Sequence, residues 1–398
     1  MTHPIIIIGA GLAGWTTARE FRKLDPIAPL MLITADSGDF YAKPSLSNAL
    51  AQKRSPAQLV STAAAKMADT LQLSLLARTR VLAIDAVAQR IRTSQGEFSY
   101  SQLVLATGAQ PIRVPVAGDA ADQVQSINSL DDFSDFHARL TGGRHQYVLI
   151  MGAGLIGCEF ANDLIACGYQ VSVVDPSAGP MGALLPPQAG VQLREALAAL
   201  GVRWHWGATV QSVSHHVTQG EGAEPRLQVE LSNGQVVAAD RVLSAIGLRA
   251  DTVLAQASGL VCERAVVVDA RLQTSAPHIY ALGDGAQYAA GLWGEAEALV
   301  SGGRTMPYVM PIMSAARALA ATLAGTPTEV VFPLMPVAIK TPALPIVVAA
   351  PAPGTLGEWR GVEPGIWQFI DARQQMRGFV ITGRQTTRRA EQAKLLAA

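Results

Sequence analysis

The chain is poor in cysteine and in charge. Its 398 residues include three cysteines, Cys158, Cys167 and Cys262. None belongs to a C-x-x-C pair, and the odd number argues against a disulfide framework. Such usage fits a reducing compartment. Charged residues make up 16% of the chain, and Lys+Arg equals Asp+Glu at 31 each. A net charge of zero leaves no whole-chain argument for nucleic acid or a membrane surface as partner. Long apolar runs are also missing, since none approaches the ~20 residues of a membrane span. The first residues lack the charged segment, apolar core and small-residue cleavage site of a secretory leader. These absences together predict a cytoplasmic protein without a membrane span. Hydrophobic residues are plentiful at 49%, with a mean hydropathy of +0.24. That predicts large cores, little disorder and two or three domains.

The most informative stretch is Ile5 to Gly14. Four isoleucines read as a buried parallel strand. They run into Gly9-Ala10-Gly11-Leu12-Ala13-Gly14, a G-x-G-x-x-G, and a helical pattern follows from Trp15 to Lys23. Gly9 permits the tight turn, Gly11 lets a pyrophosphate approach the backbone, and Gly14 lets helix and strand pack closely. The helix N-terminus then offers its unpaired N–H groups to phosphate. The alternative is an ordinary glycine-rich strand-to-helix turn. A second strand, Leu30–Thr34, ends near Asp36 and supports the nucleotide reading.

Further along, residues 57–72 predict an Ala-rich helix, and short strands are predicted at 73–76, 80–85, 90–93, 97–100 and 103–106. Residues 109–145, with Pro111 and Pro115, mark a crossing into a second domain. There Tyr147–Met151 meets Gly152-Ala153-Gly154-Leu155-Ile156-Gly157, a second G-x-G-x-x-G. Helix and strand follow, ending at Asp175. A short strand ending in Gly283-Asp284-Gly285 comes only after this second unit is complete, so the second domain is inserted into the first. Residues 286–305 look like an exposed insertion. A helix is expected over 311–323, and residues 328–383 read as a strand-rich third domain with strands at 337–340, 345–349, 367–371 and 378–382.

Asp175 lies 18 residues past Gly157, suited to accept from a ribose 2′-OH and to repel a 2′-phosphate, which favours NADH over NADPH. The alternative is a loop or capping aspartate. Asp36 lies 22 residues past Gly14 and could serve the first nucleotide, although Thr34 and Ala35 are the competing contacts. Glu159, in the first turn of the second helix, reads either as a surface acid complementing the helix dipole or as a contact to a nicotinamide or flavin edge. Asp284 reads either as a ligand contact at a strand end or as a turn residue. Lys43, just before Pro44, is an ordinary exposed lysine unless a flavin lies beside it, where its ammonium would favour reduction.

The succession G-x-G-x-x-G, Ala106-Thr107-Gly108, G-x-G-x-x-G, Ala245-Ile246-Gly247 and Tyr280-Ala281-Leu282-Gly283-Asp284 resembles the FAD-dependent pyridine nucleotide oxidoreductases of the glutathione reductase fold. Within them the chain is most similar to bacterial rubredoxin reductases. Residues 18–24, 41–47, 152–163, 308–313 and 337–343 carry that likeness.

The resemblance implies an α/β fold with two nested Rossmann-like domains, for FAD and NADH, and a smaller C-terminal α/β domain. The expected boundaries are 1–115 with 246–325 for FAD, 116–245 for NADH, and 326–398 for the third domain. It also implies that Gly9, Ala10, Gly11, Leu12, Ala13 and Gly14 with Thr34 and Ala35 hold the FAD pyrophosphate and ribose. By the same likeness Val81 meets the adenine and Asp284 the ribityl chain. Lys43, Glu159, Val309 and Lys340 surround the isoalloxazine, and Gly152, Gly154, Gly157 and Asp175 receive NADH. Lys43 and Glu159 are the expected catalytic pair.

Relatives with redox-active thiols carry cysteine in the segment where this chain has Ser45 and Ser47. The implied electron route therefore runs from NADH to FAD and directly to rubredoxin, a separate small iron protein. A basic rim for an acidic carrier is expected, with Lys340 as one candidate. A ferredoxin as acceptor, or a flavoprotein redox switch, are the alternatives. The protein is expected to be a monomer or homodimer with no bound metal.

Overall fold

The computed structural model describes residues 3–141, 146–216, 226–288, 303–332, 336–352 and 354–397. The chain packs as two compact units that alternate along the sequence. The first takes Met1–Ala42, Val60–Gln110 and Leu248–Pro333, and the second takes Lys43–Leu59, Pro111–Gly247 and Leu334–Ala398.

Unit one is built on a parallel sheet in the order Ile279–Ala281, Gln102–Leu105, Ile5–Ile8, Leu30–Ile33, Ser74–Leu76. All four isoleucines of the central strand are buried, as a strand covered on both faces requires. Helix Leu12–Leu24 follows this strand and buries Trp15, Ala18 and Phe21. It packs on helix Val309–Leu323, which comes from the other end of the chain. Ile279 pairs beside Leu103, so a strand that arrives after the second nucleotide fold completes the first sheet.

Two sequence expectations need correction here. The helix expected over 57–72 is broken into Pro56–Leu59 and Ala64–Leu71 by strand Val60–Thr62, which pairs with Phe40–Tyr41. The β-branched Val60 and Thr62 suit that pairing better than a helix interior. The insertion expected over 286–305 opens instead with strand Ala286–Tyr288, parallel to Val266–Val268. Arg304 then returns to Tyr288 through two backbone hydrogen bonds of 2.8 and 2.9 Å, while 289–302 lie outside the described residues.

Unit two holds a second parallel sheet in the order Val124–Gln125, Arg241–Ser244, Tyr147–Met151, Gln170–Asp175, Arg203–Trp206. It also holds an antiparallel C-terminal sheet ordered Val337–Ile339, Ile346–Ala349, Met376–Thr382, Ile366–Asp371, Gly357–Glu363. The edge strand Gly357–Glu363 is absent from the sequence expectations, because most of its residues face solvent and show no apolar alternation. Trp359 anchors it edge-on to Phe369, with ring centroids 5.3 Å apart. Among the described residues no helix is long and apolar enough to cross a membrane.

The steric reason for glycine at the end of each fingerprint is direct. A Cβ at Gly14 would lie 1.9 Å from the Gly9 carbonyl oxygen, and one at Gly157 would lie 2.0 Å from that of Gly152. Gly14→Ala must push the first helix off its strand. The expected cost is about 1–3 kcal/mol, by analogy with overpacked cores, read as a lower denaturation midpoint. An unshifted midpoint would show that the helix can move away freely.

Candidate functional site

In unit one the turn at the carboxyl end of the central strand is held open by Gly9, whose φ is +111°. A Cβ there would strike the Ala106 carbonyl oxygen at 2.2 Å, whereas one at Gly11 would meet nothing within 4 Å. Gly11 thus faces open space at the N-terminus of helix Leu12–Leu24, which has no side-chain cap and no acid in its first turn. Free N–H groups with no acid in their own first turn suit an incoming phosphate. Ala10 and Ala13 are buried, and Leu12 is half-buried.

The remaining unit-one candidates gather at the same ends of the sheet. Thr34 donates from its hydroxyl to Asp36 at 2.6 Å, and Asp36 also accepts from the Gly38 N–H at 2.9 Å. The Asp36 carboxylate therefore holds this turn together, with Ala35 exposed beside it. Thr79 donates its N–H to the Thr34 carbonyl at 2.8 Å, which sets Val81, two residues on, next to that turn. Asp284 lies in the single turn Gly283–Gly285 after strand Ile279–Ala281. A Cβ at Gly283 would stand 3.1 Å from Ala13, so this late turn reaches the first fingerprint. The buried Tyr288 hydroxyl accepts from the Gly283 N–H at 3.0 Å and steadies it. Burial pushes the Tyr288 phenol well above its ordinary range, so it stays neutral. Val309 opens its helix with its side chain exposed.

Unit two repeats the device. Gly152 has φ +98°, and Gly154 faces open space. Asp175 accepts from the Ala153 N–H at 2.6 Å and from the Ser177 N–H at 2.8 Å, and the Ser177 hydroxyl bonds it as well. The carboxylate thus braces the glycine loop, at the strand end where a ribose hydroxyl would arrive.

The helix after this loop, Leu155–Ala166, carries a polar face at 159, 162 and 163, the i, i+3, i+4 spacing. Glu159 is 1% exposed. It accepts from the Lys340 ammonium, from the Lys340 backbone N–H at 2.9 Å, and from the Ser47 hydroxyl at 2.6 Å. Asn162 accepts from the Ala343 N–H at 3.0 Å, and Asp163 from the N–H groups of Leu50 and Ala51 at 3.0 and 2.9 Å. Burial raises the Asp163 carboxyl above its usual value, against the opposing pull of those two N–H groups. The surface-acid alternative for Glu159 is therefore excluded. Lys340 is ion-paired with Glu159 rather than displayed as a docking charge, which removes the sequence-based reason for placing it on a basic rim. Lys43 begins the short 3-10 helix Lys43–Asn48 and donates to Asn128 at 3.2 Å. Asn162 and Asp163 were not singled out in the sequence, although their spacing from Glu159 on one helix face was visible there.

The three cysteines are free. Cys158 is fully buried, its thiol bonded to the Ala153 carbonyl at 3.4 Å. Burial drives its ionisation far upward, so it is a packed thiol and not a redox nucleophile.

Residues 3–317 match the pyridine nucleotide-disulphide oxidoreductase family model, and residues 329–396 match the rubredoxin binding C-terminal domain. The chain is 43% identical over 357 residues to a rubredoxin-NAD(+) reductase of Alcanivorax borkumensis, covering 90% of this chain and 88% of that one. The chain belongs to the rubredoxin-NAD(+) reductases. A family member from Acinetobacter baylyi is 42% identical over 389 residues, 96% of this chain and 94% of that one. Among solved structures, a covalent putidaredoxin reductase–putidaredoxin complex matches with a TM-score of 0.86 at 23% identity, over 99% of this chain and 93% of that one. That likeness is one of fold: two nested dinucleotide-binding domains and a smaller C-terminal α/β domain. Members of the family use FAD and NADH, and the open backbone at Gly11 and Gly154 fits two dinucleotides.

Glu159→Gln keeps the shape but removes the charge that offsets Lys340. Truncating one side of a buried pair costs about 3–5 kcal/mol, and the ammonium's 28% side-chain exposure lets water recover part of it. A loss of about 2–3 kcal/mol in denaturant unfolding is expected. A change below about 0.5 kcal/mol, the span of ordinary surface substitutions, would mean that water serves the lysine equally well.

Proposed function

We propose that this protein carries electrons from NADH through FAD to rubredoxin, as a NADH:rubredoxin oxidoreductase. The observation that carries the reading is the joining, in one chain, of two dinucleotide cradles to a rubredoxin-binding C-terminal domain. FAD supplies the conversion of currency, taking two electrons as hydride from NADH and releasing them singly to a one-electron carrier.

The protein supplies binding and electrostatics. In the first unit the loop Gly9–Gly14 holds the FAD pyrophosphate at the helix N-terminus, Thr34 and Ala35 hold the ribose, Val81 the adenine and Asp284 the ribityl chain. In the second unit Gly152, Gly154 and Gly157 receive the NADH pyrophosphate, and Asp175 accepts from the adenosine ribose 2′-OH. The same carboxylate repels a 2′-phosphate. Lys43 would offset the negative charge that a bound flavin gains on reduction, and Glu159, paired with the ammonium and backbone N–H of Lys340, would lie with it around the isoalloxazine. Val309, exposed at the start of its helix, would lie beside the isoalloxazine.

No thiol relay is needed. Cys158 is sealed, and Ser45 and Ser47 stand where thiol-dependent relatives place cysteine. We place the reaction in the cytoplasm, where NADH is supplied.

A steady-state comparison of rubredoxin with a [2Fe–2S] ferredoxin, NADH held saturating, tests the acceptor. Rubredoxin should lead by about tenfold or more in kcat/KM, a difference of ~1.4 kcal/mol. Preference for ferredoxin would overturn the assignment, and long-lived reduced flavin with neither acceptor turning over would point to a redox switch. Separately, Lys43→Met should slow stopped-flow flavin reduction by roughly tenfold or more while FAD stays bound. An unchanged rate removes Lys43 from the catalytic set.

A further inference from the structure

The edge strand of the second parallel sheet ends in an aromatic pair that the mechanism above does not use. Trp204 and Trp206 lie on strand Arg203–Trp206, two residues apart and so on one face. Their rings stack with centroids 4.7 Å apart and planes 13° from parallel. Trp204 is the fixed member, its indole N–H donating to the Arg194 carbonyl of helix Pro187–Ala199 at 3.3 Å. The indole N–H of Trp206 has no acceptor among the described residues, and its ring is only half-buried. Packing explains Trp204. It does not explain a second large ring left half open on top of it.

Position supplies the explanation. In this sheet the glycine loop follows strand Tyr147–Met151, Asp175 ends the neighbouring strand, and Trp206 ends the next, directly opposite Asp175 in register. The loops beyond are tied together as well. Gly207 donates to the Ser177 carbonyl and Ala208 to that of Asp175, both at 3.3 Å. A dinucleotide lies across the carboxyl ends of such strands. With its pyrophosphate on the glycine loop and its ribose at Asp175, the chain of groups continues onto the strand that carries Trp206.

We propose that Trp206, braced from behind by Trp204, is the stacking surface for the adenine ring of NADH, and that it makes the adenosine half of the coenzyme a determinant of donor choice. The proposal rests on the reading of unit two as the NADH site. Stacking of a base on an aromatic side chain is insensitive to hydrogen-bonding pattern, so the site selects for the presence of a planar base.

The test measures flavin reduction by stopped flow in the FAD-loaded protein with two donors, NADH and reduced nicotinamide mononucleotide, which lacks the adenosine half. Trp206→Ala should raise the apparent Kd for NADH about tenfold and leave both the limiting reduction rate and the Kd for the mononucleotide as in the parent. Trp206→Phe, which keeps a ring, should recover most of the NADH affinity. An unchanged NADH Kd in Trp206→Ala overturns the proposal. An equal loss with both donors also overturns it, since that marks a structural effect on the sheet. Failure of the parent protein's flavin to be reduced by NADH would instead overturn the functional reading beneath it, and the two failures are told apart by the parent control alone.

Discussion

A buried carboxylate is the contact on which the second unit depends. Leaving Glu159 ionised without partners would cost several kcal/mol. The cost is met by bringing three donors to it, two from Lys340 and one from Ser47. These donors lie 181 and 112 residues away in sequence. Asn162 and Asp163 extend the same polar face toward Ala343 and toward Leu50 and Ala51. One helix therefore does two things. Its N-terminus follows the open glycine loop, and its side fastens the segment after Lys43 and the first strand of the C-terminal sheet. Movement of that helix would disturb the glycine loop and the placement of the C-terminal sheet together.

The two cradles share their steric logic and differ in how their edges are braced. In each, the first glycine clears a carbonyl oxygen of the neighbouring strand's turn, the second leaves the backbone open, and the third lets helix meet strand. After the second strand, the unit-one turn is closed on itself by Thr34 and Asp36. In unit two, Asp175 reaches back to the glycine loop through Ala153. The helix of unit one carries the buried Trp15, whose indole N–H donates to the Gly38 carbonyl at 2.9 Å, where the helix of unit two carries Cys158 and Glu159. The same frame thus buries a large ring in one helix and a thiol and a charge in the other.

The thiols bear on the electron route. A relay cysteine must be reachable and readily ionised, and Cys158 is neither. The segment after Lys43 carries Ser45 and Ser47 and no thiol, and the Ser47 hydroxyl serves the buried carboxylate. A hydroxyl cannot cycle between oxidation states, so this segment is committed to holding charge in place.

What the sequence determined by itself was local and repeated. Isoleucine runs, glycine spacing and the helical patterns after them settle conformation over ten residues, because sterics at a glycine and burial of a strand act at short range. Even the nesting of the two folds could be read, from the order in which Gly283-Asp284-Gly285 follows the second fingerprint. Tertiary structure alone decided which charges meet. Lys340 looks in the sequence like an exposed basic residue, and becomes the half-buried partner of a buried carboxylate only when the C-terminal sheet folds against helix Leu155–Ala166. It also decided that Val60–Thr62 is a strand, since pairing with Phe40–Tyr41 outweighs helix propensity, and that Gly357–Glu363 forms an edge whose solvent-facing residues carry no apolar pattern. Trp206 belongs with these. Its meaning comes from lying beside Asp175 across a sheet, and side-chain spacing within one strand holds no record of the strand next to it.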